Sequence, residues 1–224
     1  MTNKIQIAID GPAGAGKSTI AKIVAEALGY TYIDTGAMYR AVTYKALKRN
    51  IKLNDAKALE EMLLGTSIEL KPSENGQLVY VDGEDVSQLI RSNEVTNNVS
   101  QVSAHPNIRK ILVNMQKDLA SSGGIVMDGR DIGTQVLKEA QLKIFMSASV
   151  EERAKRRLLD NESRGILSDI ETLKKEITKR DKLDSEREAS PLIQADDAIY
   201  LDTTNLSIIE AADVILKLAR DKME

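Results

Sequence analysis

Gly11-Pro12-Ala13-Gly14-Ala15-Gly16-Lys17-Ser18, followed by Thr19, fits the pattern G-x-x-x-x-G-K-S/T without a mismatch. The spacing follows from what a chain of phosphates requires. Glycines let the backbone curl around phosphate oxygens with no Cβ in the way, and the turn aims several N–H groups inward. A helix that starts at the end of the loop presents its positive dipole end to the same anion. Lys17 can reach the β and γ phosphates, and the Ser18 hydroxyl can hold Mg²⁺. Gly11, Pro12, Ala13, Gly14, Ala15, Gly16, Lys17, Ser18 and Thr19 are therefore the candidate cradle for a nucleoside triphosphate.

The flanks supply the context that such a loop needs. Ile5-Gln6-Ile7-Ala8-Ile9 is an apolar strand ending at Asp10. After the loop, Ile20, Ile23, Val24, Ala27 and Leu28 recur at helical spacing, and Gly29 is placed to stop the helix. Further along, Tyr30–Asp34, Ile125–Asp128, Leu142–Met146 and Ala198–Asp202 read as strands. Helical stretches lie between them, near 37–49, 106–122, 150–163, 168–187 and 207–222. This alternation predicts an α/β fold with a parallel five-stranded sheet flanked by helices. Ligands on such sheets sit at the carboxyl ends of the strands, where Asp10, Asp34 and Asp128 fall. Two runs break the alternation: Ser67–Lys71 and Gln77–Val81 flank Asn75-Gly76, a hairpin signal, with Asp82-Gly83 as a second turn. They predict a small antiparallel insert between about 60 and 95.

Composition narrows the chemistry. The 224 residues are 42% hydrophobic and 29% charged, as in an ordinary globular chain of one core with small inserts. There is no cysteine, so disulfides, thiolate zinc sites and cysteine nucleophiles are all excluded. The single histidine, His105, precedes Pro106 at a helix start, which suits a surface or capping role. Phosphoryl transfer needs neither residue, since its catalysis is mostly positioning and charge neutralisation. The net charge of −3 gives no global pull toward nucleic acid or anionic membrane. No apolar run is long enough to span a bilayer, and no secretory signal is read at Met1-Thr2-Asn3-Lys4, so the cytoplasm is the expected location.

Three further clusters carry charge at informative places. In Asp34-Thr35-Gly36-Ala37-Met38-Tyr39-Arg40, Arg40 falls on the first turns of a helix, suited to a second phosphate or simply solvated. In Asp128-Gly129-Arg130-Asp131-Ile132-Gly133, Asp128 could organise Mg²⁺ through water, or the acids and arginine could form a local ion pair in a turn. Arg153, Arg156 and Arg157 share one charged helix, with Arg164-Gly165 after it. Arg180, Asp184 and Arg187 are spaced to share one face of the next helix. Together with the triphosphate loop, these arginines read as a mobile lid that closes over a transferring phosphate.

In this combination and order, the chain resembles the bacterial cytidylate kinases, from Ile7 to beyond Asp202. The resemblance rests on the 10–19 loop, Asp34–Arg40, Ser100-Gln101-Val102, Asp128–Gly133, Arg180-Asp181 and Arg187-Glu188-Ala189-Ser190-Pro191-Leu192. It implies a nucleoside monophosphate kinase core of phosphate-loop type with an antiparallel β insert and a helical lid. The core would comprise 1–34, 100–150 and 167–224, the monophosphate-binding region 35–99 and the lid 151–166. It implies ATP- and Mg²⁺-dependent phosphorylation of CMP or dCMP by a monomer, with no nucleic-acid or membrane partner.

By that likeness, Thr35 and Arg40 contact the acceptor nucleotide, and Ser100, Arg109 and Asp131 read the cytosine edge. Arg130 touches the acceptor phosphate, Arg180 and Asp184 hold the ribose, and Arg187 lies near the transferring group. Lys17, Arg130, Arg180 and Arg187 are the implied catalytic residues. Arg153 and Arg157 fall in the lid as contacts to the donor nucleotide, and Ser18 and Asp128 are the implied Mg²⁺ residues. Cytosine offers an amino donor with carbonyl and ring-nitrogen acceptors, which one acid plus Arg and Ser can satisfy. Uracil would set an acceptor against Asp131, a mismatch of about 1–3 kcal/mol.

The nearest rival reading is a kinase for adenylate, uridylate or shikimate, which shares every feature but the base-reading set. A GTPase switch should carry N-K-x-D, whereas the only Asn-Lys is Asn3-Lys4-Ile5-Gln6, before the loop. A nucleic-acid-acting ATPase is disfavoured by the acidic balance and the lack of a long basic stripe.

Overall fold

Ile7, Ala8 and Ile9 are wholly buried in β1 (Gln6–Asp10), the strand that delivers the loop. The computed structural model describes residues 4–73, 76–121, 123–163 and 165–223. After β1 come α1 (Lys17–Leu28), β2 (Thr31–Asp34), α2 (Thr35–Lys48), α3 (Ala56–Leu64), β3 (Ile68–Ser73), β4 (Gly76–Val81) and β5 (Glu84–Asp85). The chain continues through α4 (Asn93–Ser103), α5 (Pro106–Leu119), β6 (Ile125–Gly129), β7 (Leu142–Ser147), α6 (Val150–Ser163), α7 (Ile170–Glu186), β8 (Ile199–Asp202) and α8 (Ile208–Met223).

Five strands form one parallel sheet in the order β2-β6-β1-β7-β8, as the alternating pattern predicts. Apolar runs such as Ile125–Met127 are buried on both faces, which a parallel sheet with helices on either side requires. On one face α1 and α8 cover the sheet through Ile20, Val24, Ala212 and Ile215. On the other, Ala8, Ile33 and Met127 meet Ala120, Ile132 and Val136. Strand register gathers the acids. Asp10 lies opposite Gly129, and Asp34 opposite Asp128, so three strand-end aspartates reach the same carboxyl edge.

The antiparallel insert is present as a separate three-stranded sheet, β3-β4-β5. It spans 68–85, narrower than the 60–95 expected, because α3 occupies the chain through Leu64 and α4 begins at Asn93. Asn75 of the hairpin signal lies outside the described residues. Asp82 and Gly83 both take positive φ, as the second turn requires. Val79, Val81 and Val86 bury their side chains against Ala37 and Ala41, which seats the insert on α2.

Helix limits differ from the periodicity in instructive ways. Helix α2 begins two residues earlier than its apolar pattern, because the Asp34 carboxylate accepts from Ala37 N (2.9 Å) and caps it. Helix α5 stops at Leu119 rather than 122, before Gly123 and Gly124, both at positive φ. Helix α7 ends at Glu186, so Arg187 is not on the face of Arg180 and Asp184. It sits just past the helix in extended backbone. Helices α6 and α7 pack on each other around Ala154, Leu173 and Ile177, a cluster of their own.

Candidate active site

Sterics dictate the loop's glycines. A Cβ on Gly11 (φ +147) would lie 2.0 Å from the Met146 carbonyl oxygen on β7. At Gly14 (φ +78) it would lie 3.2 Å from Arg153 Cβ, so the loop rests directly on the first turn of α6. Gly16 caps α1 in the left-handed conformation (φ 87). Ser18 and Thr19 are exposed at the helix start, which leaves the dipole end open to an anion.

Lys17 is buried, and its Nζ donates to the Pro12 carbonyl (2.7 Å). Burial, then the charge of Arg130, pushes its pKa down to about 7. Ser18 Oγ donates to Asp128 Oδ2 and Tyr32 OH donates to Oδ1, each at 2.8 Å. Burial and then the neighbouring Asp34 push the Asp128 carboxyl up to about 6. One hydroxyl and one carboxylate make an open, hard-oxygen pair. No group of three His, Cys, Asp or Glu gathers among the described residues to hold a metal. That donor set fits Mg²⁺, which keeps several waters and shares substrate phosphates rather than filling a protein cage.

Across the cleft the chemistry is carried by side chains. Asp34 pairs with Arg40 (2.7 Å) and lies 4.0 Å from Arg91. Burial alone would raise the Asp34 carboxyl, but Arg40 and then Arg91 hold it below its ordinary value. Thr35 Oγ1 donates to the Asp128 carbonyl (2.7 Å), joining the two sides at the strand ends. Arg109 is 3% exposed; it donates to the Ser103 carbonyl (3.0 Å), pairs with Asp131 (2.5 Å) and lies over the Tyr39 ring. Ser100 lines the cleft from α4, beside Thr96 and Asn97.

Helix α7, the residue after it and the turn after β6 contribute the rest. Arg130 Nε pairs with Asp184 (2.9 Å), and Arg187 lies 3.7 Å from Asp131 and 3.9 Å from Asp184. Burial would raise Asp184, but Arg130 and then Arg180 hold its carboxyl below the ordinary value. Arg180 is different. It lines the cleft, its Nε is buried without a partner, and no ion pair involves it among the described residues. Burial, then the charge of Arg130, lowers its pKa to about 10. A guanidinium with a buried, unpartnered N–H beside other cations is a place prepared for an anion.

The two sides form one cleft of about 1120 Å³. That exceeds the roughly 300–1,000 Å³ of a single small-ligand pocket. Lys17, Ser18, Thr35, Arg40, Ser100, Arg109, Asp128, Arg130, Asp131, Arg157, Arg180, Asp184 and Arg187 all line it. Arg153 does not. It is 4% exposed, with Nε on the Ala148 carbonyl (2.9 Å), one NH group on the Ala13 carbonyl (3.1 Å) and the other on Asp181 (2.7 Å). Arg157 faces the cleft and lies 3.6 Å from Asp160. Arg164 lies outside the described residues.

Sequence reasoning places Arg156 on the charged helix but gives it no role. It lines the cleft and donates to the Thr203 carbonyl (2.6 Å), Thr203 Oγ1 (3.2 Å) and the Ala15 carbonyl (3.4 Å). Its i, i+3 relation to Arg153, which also binds a loop carbonyl, was the available signal. Tyr32 and Arg91 were also missed, having no pattern of their own. Asp10, at the strand end on the ligand edge as read, turns its carboxylate to the protein. It is 5% exposed and accepts from Ile132 N and Gly133 N, both at 2.8 Å, which fixes the turn carrying Asp131. His105 is the residue before α5, and its ring bonds the Leu53 carbonyl (2.7 Å) rather than capping the helix.

Known proteins share this sequence along its whole length. The family model described as cytidylate kinase matches residues 7–221. Over 223 residues, covering 100% of both chains, the sequence is 69% identical to a protein named cytidylate kinase from Lysinibacillus sphaericus (strain C3-41). Over the same length and coverage it is 60% identical to one so named from Geobacillus sp. (strain WCH70). Among solved structures, an uncharacterized protein from Eubacterium ventriosum ATCC 27560 superposes with a TM-score of 0.53 at 15% identity, covering 98% of this chain and 99% of that one. That likeness speaks to the fold alone.

Proposed function

The chain belongs to the cytidylate kinase family, and from that premise we propose that it transfers the terminal phosphoryl group of ATP to CMP or dCMP. The products are ADP and CDP or dCDP. Residues 11–19 hold the donor's phosphates through backbone N–H groups, with Lys17 leaving the Pro12 carbonyl for the β and γ oxygens. Ser18 and Asp128 are the residues that would hold Mg²⁺, which when bound neutralises phosphate charge. Arg40 and Thr35 hold the acceptor phosphate. Ser100, Arg109 and Asp131 hold the cytosine edge, and Arg180 and Asp184 the ribose.

In the chemical step an acceptor phosphate oxygen bonds to the γ phosphorus as the bond from that phosphorus to the β–γ bridging oxygen breaks. Lys17, Arg130, Arg180 and Arg187 neutralise the charge on the group in transit. The acceptor is already anionic at neutral pH, so no general base is needed. That accounts for a chain whose one histidine is used structurally. Arg157 approaches the donor phosphates from α6. Segments 1–34, 100–150 and 167–224 serve as the core, 35–99 as the monophosphate-binding region and 151–166 as the lid. The separate apolar clusters of the insert and of the α6–α7 pair support that division, with α7 sharing the lid's cluster. A monomer in the cytoplasm, acting on nucleotides, completes the reading. No helix among the described residues is long and apolar enough to cross a membrane.

The observation that carries this is one cleft in which Lys17 of the glycine loop and Arg180, two cations with no ion pair among the described residues, share the lining with the Arg109–Asp131 pair. Coupled ADP release with ATP and each monophosphate in turn tests it. CMP and dCMP should give the highest kcat/KM. Turnover no better than with AMP or shikimate would overturn the assignment.

A further inference from the structure

We propose that Arg153 is a positioning residue that locks the phosphate loop to the acceptor-binding face of α7, rather than a contact to either nucleotide. The inference rests on the two-nucleotide reading of the cleft given above. One buried guanidinium reaches three separate elements. It donates to Ala148 before α6, to Ala13 in the loop, and to Asp181 on α7. All its nitrogens are engaged by protein, and it does not line the cleft, so no group is left for a ligand.

Both ends of this bridge matter. Ala13 precedes Gly14, whose close approach to Arg153 Cβ already seats the loop on α6. Asp181 follows Arg180, the unpartnered cation in the cleft, and lies three residues before Asp184. A shift of α7 that broke the Asp181 contact would carry Arg180 and Asp184 with it. Arginine suits the role because its planar fork spreads five N–H donors over three nitrogens in fixed directions, whereas the three donors of lysine all radiate from one nitrogen. The Arg153–Asp181 pair therefore fixes the distance and angle between the donor phosphates and the acceptor-side groups. Such geometry governs rate more than affinity, and a misplacement of about 1 Å can cost on the order of a hundredfold.

Steady-state kinetics on Arg153→Lys, Asp181→Asn and the double variant test the proposal, with thermal melting to confirm folding. Arg153→Ala is avoided, since it would strand Asp181 without its partner. Each single variant should lose about tenfold or more in kcat, with KM for ATP and for CMP within about threefold of the parent. The double variant should be no worse than the weaker single one. If Arg153→Lys fails to fold, Asp181→Asn carries the same expectation by itself. The proposal is overturned by a large rise in KM for ATP with kcat retained, by losses that multiply in the double variant, or by variants that match the parent. Should the parent prefer another monophosphate to CMP, the substrate reading fails. The kcat and KM comparison then runs on that monophosphate, so the two failures stay distinguishable.

Discussion

The two sides of the cleft solve the same problem, holding phosphate, with different materials. The loop side uses backbone. Its shape comes from glycines pressed against Met146 and Arg153, and its carboxylates, Asp10 and Asp128, are buried and pushed up to about 6. The opposite side uses arginines already matched to aspartates: Arg40 to Asp34, Arg109 to Asp131 and Arg130 to Asp184. There Asp34 and Asp184 are held below their ordinary values by those cations. A backbone cradle reads charge and little else, which suits a phosphate chain. A preformed lattice of ion pairs presents donors and acceptors at fixed places, which suits a particular base and sugar. Between them stand Lys17 and Arg180, which have no carboxylate partner in ion-pair contact among the described residues.

The comparison breaks most visibly at the centre. Replacing Lys17 with Ala should lower kcat about a thousandfold, since it removes a cation aimed at developing charge. A loss under tenfold would show the loop's N–H groups to be sufficient alone. Gly11→Ala sharpens the steric half of the argument. One methyl set against the Met146 carbonyl should cost about 3 kcal/mol of stability, read by denaturant unfolding, and no loss would mean the strand ends can part freely. On the arginine side a nearly isosteric change should alter choice as well as stability. Asp131→Asn should cut the preference for CMP over UMP by about ten- to a hundredfold in kcat/KM, and it should lower the melting temperature, since it leaves the buried Arg109 guanidinium without its carboxylate.

A more gradual effect comes from pH. Asp10 is pushed from 3.8 to about 6 by burial, its two N–H donors only partly offsetting that. Between those values Asp10 holds its proton more fully in the folded chain than in the unfolded one, so its contribution should make stability fall as pH rises from 4 to 6. The slope is at most about 1.4 kcal/mol per pH unit for this group. Asp128 adds to the slope with the same sign. Asp34 and Asp184, held low, stabilise the fold above the ordinary carboxylate pKa and lose that contribution only at more acid pH. Asp10→Asn should reduce the slope between 4 and 6 without abolishing it. An unchanged slope would exclude Asp10 as its source.

The same contrast explains what the amino-acid string disclosed. The loop was readable from residues 11–19 because its function is local and its neighbours, a strand and a helix, announce themselves by period. The parallel sheet and the insert followed from apolar runs and turn residues. The arginine lattice is not local. Arg130 meets Asp184 across 54 residues, and Arg109 meets Asp131 across 22, so only the family likeness assembled them beforehand. Arg153 reads as one more exposed lid arginine until its contact with Ala13, 140 residues away, is seen. Asp10 reads only as an acid at a strand end on the ligand edge until the turn at 132–133 is seen to fold over it. Periodicity also carried Arg187 onto a helix that ends one residue before it.

Simultaneous occupancy is the most direct test. CMP is titrated calorimetrically into protein already saturated with Mg²⁺ and a non-hydrolysable ATP analogue. One CMP should bind per chain, with affinity no weaker than when the analogue is absent. Loss of CMP binding in proportion to analogue occupancy would mean that both compete for a single anion site, and would contradict it.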